Sequence, residues 1–182
     1  MNAFLKSKSS YRNLISFRKA ECIYDITYYF INANLEFKDR TRDQMLQAAR
    51  SGKQNIVEGR EAATTSRETE IKLYNVARAS LQELLQDYED YLRTRTPAIW
   101  TNTHPRYAAL LRTCRDNSDT TYYTALLSRL SPEETANMAL TLIHQTDAML
   151  NKLIKYAQDD FLADGGIREQ MSKARLNVRR KS

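Results

Sequence analysis

Histidine and cysteine are the side chains that most often ligate transition metals or act as nucleophiles, and the 182-residue chain has two of each. Neither His104 nor His144 has a second His or a Cys three or four positions away, and no Glu-x-x-His pair is present. Cys22 and Cys114 lie far apart and fit no redox or metal-binding spacing. We therefore predict no metal and no cofactor, and we interpret both cysteines as reduced thiols.

Paired carboxylates are the other common catalytic groups, and the best candidates lie within one predicted helix. Glu83, Asp87, Glu89 and Asp90 mostly fall off its apolar stripe, so we interpret them as a solvated face. The sequence also lacks a glycine-rich phosphate loop and a G-x-S-x-G motif. These observations predict a protein that is not an enzyme and has no catalytic residue.

Basic residues are concentrated at the two ends of a chain whose net charge is +6. Residues 1–20 carry five basic and no acidic side chains, and residues 165–182 carry six basic side chains against Glu169 alone. A basic tail on a mildly acidic body is typical of proteins that bind a polyanion such as RNA or DNA. The alternative is a solvated tail that aids solubility. The candidate nucleic-acid contacts in the tail are Arg168, Lys173, Arg175, Arg179, Arg180 and Lys181.

A second basic group is spread over two predicted helices. Its members are Arg42, Arg50, Lys53, Arg60, Arg67 and Arg78. Arg50 and Lys53 are one helical turn apart and share a face, and such cations neutralise phosphates without reading sequence. The alternative is ion pairing with Glu58, Glu61 or Glu70. Arg50, Lys53 and Arg78 are our candidates for phosphate contact.

The composition predicts long amphipathic helices. Four Gly and three Pro leave few turns, and 42% of the residues are hydrophobic without any run near the ~20 residues that cross a bilayer. Met1–Arg12 is polar and basic, unlike a signal peptide. We expect a cytoplasmic protein without a membrane partner.

Periodicity and capping signals place the first three helices. The first is expected over about 14–33, with Tyr28 on a core stripe. The second begins at a Thr41/Gln44 capping box and ends at Gly59. A Thr65/Glu68 capping box starts the third, which runs about 30 residues to Arg95, where Thr96-Pro97 stops it. Gly52 is expected to permit close contact with a neighbouring helix.

The fourth long helix has a strong start signal. Ser131 is a good N-cap before Pro132 and two acids, and we expect the helix to reach Ala163 with Tyr156 on its apolar face. Gly165-Gly166 then breaks it, leaving a segment that is either a short helix or disordered. Residues 97–130 are expected to form an insertion with short helices near 105–115 and 120–129.

Together these elements predict an all-α, antiparallel, up-down-up-down four-helix bundle over residues 1–164. The helical insertion at about 97–130 interrupts it. Residues 165–182 form a basic C-terminal suffix.

Two segments, Gln47–Gly59 and Ile71–Leu84, resemble the signature of a known family of four-helix-bundle proteins. The family is related to the ribosomal RNA intervening-sequence proteins and includes the accessory variability determinants of diversity-generating retroelements. The ending Gly165–Glu169 is similar to the suffix of a longer subfamily. Gly52 departs from the family's usual Ile. The positions that match are Ala49, Arg50, Ser51, Asn55, Ile56, Glu58, Gly59, Ala77, Arg78, Ser80, Glu83 and Leu84.

The resemblance implies a non-catalytic homopentameric ring that binds nucleic acid, and we expect that nucleic acid to be RNA rather than DNA. In the retroelement branch it also implies binding to a reverse transcriptase. Among the matched residues, it implies structural roles for Asn55, Glu58 and Ser80 between the second and third helices. We therefore expect an oligomeric nucleic-acid-binding accessory protein. The alternative is a protein-interaction scaffold, for example a partner of a retroelement reverse transcriptase.

Overall fold

The computed structural model describes residues 9–95 and 98–181, and all regular structure within them is helical. A short 3-10 helix, Tyr11–Asn13, precedes seven α-helices. These are α1 (Ile15–Asn34), α2 (Thr41–Ala62), α3 (Arg67–Arg95), α4 (Tyr107–Asp116), α5 (Thr120–Leu127), α6 (Pro132–Asp164) and α7 (Ile167–Lys181). The protein is all-α, as the composition predicted. The predicted stop at Thr96-Pro97 lies outside the described residues.

The four long helices contact one another in a closed order. Helix α1 packs against α2 and α6, and α3 packs against the same two helices. Apolar side chains from all four form one core, which includes Ile23, Ile26 and Phe30 of α1, Met45 and Ile56 of α2, Leu81, Leu84 and Tyr88 of α3, and Leu142, Ile143 and Leu150 of α6.

Two glycines allow α2 and α3 to approach closely. A Cβ atom at Gly52 would lie 2.8 Å from Cδ2 of Leu81, and one at Gly59 would lie 2.8 Å from the ring of Tyr74. The expectation for Gly52 is confirmed. The prediction that Gly59 ends α2 is wrong: the helix continues to Ala62, because Gly59 serves packing rather than termination.

Both capping boxes predicted for α2 and α3 are wrong. Helix α2 has no side-chain cap at its N-cap residue, and Asp39 instead accepts the Thr41 backbone N–H at 2.9 Å. At the start of α3, Ser66 Oγ accepts the backbone N–H of Thr69 at 3.2 Å. In each case a polar side chain at a neighbouring position reaches the first free N–H groups more directly.

The start of α6 is confirmed in full. Ser131 Oγ accepts the Glu134 N–H, the Glu134 carboxylate accepts the Ser131 N–H at 2.7 Å, and Pro132 occupies the first turn. Two tyrosines placed on core stripes are exposed instead, Tyr28 to 55% and Tyr156 to 68%. An aromatic ring at a helical period thus did not suffice to predict burial.

The predicted insertion contains α4 and α5, close to the expected positions. Helix α4 packs on α6 and α5 packs on α1, and residues of α4, α5 and α6 line a shared cavity. No helix in the described part of the chain is long and apolar enough to cross a membrane.

Candidate nucleic-acid interface

The C-terminal helix α7 is separated from α6 by Gly165 and Gly166, and the backbone at Gly165 has a conformation that favours glycine. Gly165 has φ of 76°, a left-handed conformation, and donates its N–H to the Phe161 carbonyl as the C-cap of α6. The Glu169 carboxylate accepts the Gly166 N–H at 3.1 Å, and the Gln170 amide donates to the Gly165 carbonyl at 3.1 Å. These bonds hold the first turn of α7 against the end of α6.

The basic residues of the tail are therefore on a helix. The side chains of Arg168, Lys173, Arg175, Arg179 and Arg180 are all exposed, and no ion pair among the described side chains includes any of them. Lys181 is the last residue of α7.

Helical periodicity divides these cations between two faces. Arg168, Arg175 and Arg179 fall on one side, separated by seven and four residues. Lys173 and Arg180 fall on another, separated by seven residues. Glu169 is the single acid of the helix.

The two candidate cations of α2, Arg50 and Lys53, differ in whether their side chains contact other residues. Arg50 is exposed and makes no hydrogen bond or ion pair with the described residues. Lys53 lies over the ring of Tyr24, with Nζ 4.2 Å from the ring centroid. Burial raises the pKa of the neighbouring Asp25 carboxyl, and the positive charge of Lys53 offsets part of that increase. Arg50 is the more available group for a phosphate.

Arg78 of α3 forms an ion pair with a residue of α6. Its Nε donates to the Asp147 carboxylate of α6 at 2.8 Å, whereas Lys53 contacts α1. Arg78 and Lys53 therefore contact different neighbouring helices, α6 and α1. The alternative of ion pairing applies to Arg78, but with Asp147, a partner that was not considered.

Other cations of the second basic group also have structural partners. Arg42 donates to the carbonyls of Ile31 and Leu35 at the end of α1. Arg60 donates to the Ser9 carbonyl and hydroxyl. Arg67 pairs with Glu70, as the alternative supposed, and with Asp160.

Three of the matched polar residues lie at the α2–α3 contact. Ser51 Oγ and Ser80 Oγ are 2.8 Å apart, and Asn55 Nδ2 donates to Ser51 Oγ at 3.2 Å. Glu58 instead accepts from Gln54 on its own helix. The motif therefore describes how the two helices pack, with Glu58 outside that network.

Sequence reasoning treated Lys19 as one more N-terminal cation, but its side chain is fully buried. Its Nζ donates to the Cys114 carbonyl and, at 3.1 Å, to the Asn117 carbonyl, where α4 ends. A cation at a helix C-terminus is favoured by the free carbonyls and the helix dipole, although burial lowers the Lys19 pKa. A signal was present, because Ser16, Lys19 and Ile23 follow the period of the buried face.

The two cysteines are buried beside Lys19 and have no disulfide. Burial raises the pKa of both thiols to about 12, so they are protonated at neutral pH. Thiols, not thiolates, are poor nucleophiles.

His144 lies on α6 and His104 lies in the loop before α4, and Trp100 is close to both. His104 stacks on Trp100 with ring centroids 3.9 Å apart. His144 is exposed at a cavity of about 290 Å³ that is also lined by Glu89, Tyr107 and Gln145. No group of three or more His, Cys, Asp or Glu within residues 9–95 and 98–181 is arranged to hold a metal ion.

The carboxylates of α3 form an acidic stripe. Glu83 and Asp90 are exposed and Asp87 is half-buried, with Asp39 and Asp43 on the adjacent part of the molecule. Burial, and then the charges of Asp90 and Glu83, raise the pKa of Asp87. The negative charges of this stripe repel a phosphate backbone.

The chain matches no protein-family model, no curated protein and no solved structure.

Proposed function

We propose that this protein is a non-catalytic, oligomeric, cytoplasmic accessory protein that binds a nucleic acid, RNA rather than DNA, through unpaired cations. The observation that carries the proposal is α7, a helix with six basic residues and one acid whose described basic side chains are exposed and unpaired. Such a helix neutralises several phosphates at once and releases their counterions.

Arg50 is the second contact in this proposal, because it is exposed and has no partner among the described residues. Lys53 contributes less, since Asp25 is close to it. Arg78 contributes through structure, because its ion pair with Asp147 joins α3 to α6.

The scaffold in this proposal is an antiparallel four-helix bundle. Contacts along the helices run in opposite directions: Gly52 meets Leu81 whereas Gly59 meets Tyr74. On α3 and α6, Arg78 meets Asp147 whereas Arg67 meets Asp160. The first pair supports opposite directions for α2 and α3, and the second for α3 and α6.

The test is binding of a fluorescently labelled RNA hairpin, measured by anisotropy at low salt. We expect the Lys173→Glu/Arg180→Glu variant to weaken binding by at least about tenfold, because two phosphate contacts become repulsive. The matched control is Lys72→Glu/Lys152→Glu, which makes the same change of charge at exposed positions of α3 and α6. Equal weakening by both variants would show that net charge matters and that α7 is not the site.

A single substitution tests the contribution of α2. Arg50→Glu should weaken RNA binding while Lys72→Glu does not, and both variants should keep the helical circular dichroism and melting temperature of the parent. An Arg50→Glu variant with unchanged affinity would remove α2 from the interface.

A further inference from the structure

Helix α7 has an apolar stripe that is only partly covered, with Ile167 and Ala174 half-buried. Ile167, Met171 and Ala174 follow one helical face, and Met171 is 39% exposed. Arg168, Arg175 and Arg179 lie along one border of this stripe. None of the extensive helix–helix contacts of the described chain involves α7. A helix with an apolar stripe and a basic border fits an acidic groove with an apolar floor.

Such a groove lies where α1 ends, α2 begins and α3 ends. Its volume is about 300 Å³, and its walls include Leu35 and Tyr91 together with Asp39, Asp87 and Asp90. Asp87 has no ion pair within the described residues. Asp90 pairs with Arg93 and Asp39 with Arg95, but both arginines are largely exposed, and such surface pairs are weak.

An exposed aromatic side chain lies in the loop between α1 and α2, which also carries Leu35 and Asp39 of this groove. Phe37 is 90% exposed, and the Arg42 guanidinium lies 5.8 Å from its ring centroid. A solvent-facing phenyl ring in this loop is a natural contact for the apolar stripe of a basic helix.

We propose that α7 of one copy of this chain docks in the acidic groove of a second copy. The apolar stripe would cover Leu35, Tyr91 and Phe37, and the Arg168–Arg175–Arg179 border would face Asp87 and Asp90. The inference rests on the oligomer in the proposed function and names the surfaces that form it. Lys173 and Arg180, on another face of α7, stay available for nucleic acid.

The groove of the same chain is out of reach of its own α7. The end of α6 lies beside the start of α3, where Asp160 pairs with Arg67. Asp90 lies 23 residues further along α3, or roughly 35 Å at 1.5 Å per residue. Helix α7 has 15 residues and spans only about 22 Å on the same rise. The contact must therefore join two copies.

A contact between two different surfaces joins copies head to tail. Such a heterologous contact generates a ring where the rotation closes, and each copy then offers one helix and one groove. This makes the proposal testable by mixing chains that each lack one of the two surfaces.

The experiment uses two full-length variants and light scattering after size exclusion. The helix variant is Arg168→Glu/Arg175→Glu/Arg179→Glu, and the groove variant is Asp87→Lys/Asp90→Lys. Each alone should weaken self-association at least about tenfold. An equimolar mixture should recover the parent's extent of assembly, because the unchanged helix fits the unchanged groove and the Glu-bearing helix fits the Lys-bearing groove. Thermal melts confirm that both variants are folded.

The control is Lys173→Glu/Arg180→Glu, which changes the other face of α7 and should assemble like the parent. The proposal is overturned if the helix and groove variants assemble normally, if their mixture stays monomeric, or if the parent is a monomer at its highest soluble concentration. RNA binding, measured on the same samples, tests the proposed function independently of assembly. A parent that assembles but ignores RNA would support this contact and refute nucleic-acid binding.

Discussion

At the scale of single residues, two glycines decide how closely α2 and α3 pack. Replacing Gly59 with Ala places a Cβ 2.8 Å from the rigid Tyr74 ring, which is fully buried. We expect Gly59→Ala to destabilise the fold by about 1–3 kcal/mol in urea unfolding, since overpacking outweighs the gain in helix propensity.

Gly166→Ala is the matched control for this prediction. A Cβ there would meet Phe161 at 3.6 Å, an ordinary contact, so stability should change by less than about 0.5 kcal/mol. A Gly59→Ala variant as stable as the parent would contradict the close packing of α2 on α3.

Lys19 is the buried residue whose role is clearest from its contacts. Lys19→Met keeps most of the side-chain volume but removes the side-chain donor to the Cys114 carbonyl and one of two donors to the Asn117 carbonyl, which keeps the Tyr123 hydroxyl. We expect a loss of about 1–3 kcal/mol in urea unfolding, the cost of unsatisfied buried polar groups. Lys72→Met, at an exposed ion pair, should cost less than about 1 kcal/mol. A Lys19→Met variant more stable than the parent would show that the free-energy cost of burying the amine exceeds the stabilisation from its two hydrogen bonds.

Asp87 and Asp39 should affect stability with opposite signs as pH changes. Burial and neighbouring acids raise the folded-state pKa of Asp87, so its ionisation weakens the fold as pH rises through that raised pKa. Hydrogen bonds from Thr41 lower the pKa of Asp39, so its contribution is present at neutral pH and is lost as pH falls through the lowered pKa.

Thermal melts across this pH range check the prediction. At neutral pH, Asp87→Asn should raise the melting temperature and Asp39→Asn should lower it, and both differences should shrink in acid. A lower melting temperature for Asp87→Asn at neutral pH would be inconsistent with the acidic stripe described here.

At the scale of helices, α6 has the best-defined start. Ser131→Ala removes the hydroxyl that accepts the Glu134 N–H, and we expect a loss of about 1 kcal/mol. Because the Ser131 backbone N–H lowers the pKa of Glu134, the reciprocal bond should be lost as pH falls through that lowered pKa. Thr120→Ala, which removes a hydroxyl at the start of α5 that caps no N–H, is the comparison. Equal melting temperatures for the two variants would contradict the capping role.

The same helices show what sequence could and could not predict. Ser131, Pro132 and Gly165 specify a helix start and stop through local chemistry, so they were read correctly. Asp39 and Ser66 cap α2 and α3 from positions next to the predicted ones, because several adjacent polar residues can reach the same N–H groups. Gly59 was misread because its reason lies in Tyr74, fifteen positions away.

The candidate site was also predictable only in part, because the partners of several side chains are distant in sequence. The basic tail was evident from composition, since residues 165–182 carry six basic side chains against Glu169 alone. Lys19 and Arg78 looked like free cations, because their partners Cys114, Asn117 and Asp147 are distant in sequence. Single-sequence patterns report local periodicity and cannot show which helix faces which.

At the scale of the whole molecule, the basic helix α7 and the acidic stripe of α3 are associated with different ends of α3. The basic helix α7 follows the end of α6, beside the start of α3, whereas the acidic stripe lies toward the end of α3. This separation favours polyanion binding at one end and contact with a basic partner at the other.

Size-exclusion chromatography with light scattering, with and without a mixed RNA pool and at two salt concentrations, tests the central claim most directly. The account predicts a particle of several subunits that carries RNA at low salt and releases it at high salt, because the contacts are electrostatic. A protein that elutes without RNA at both salt concentrations would contradict it.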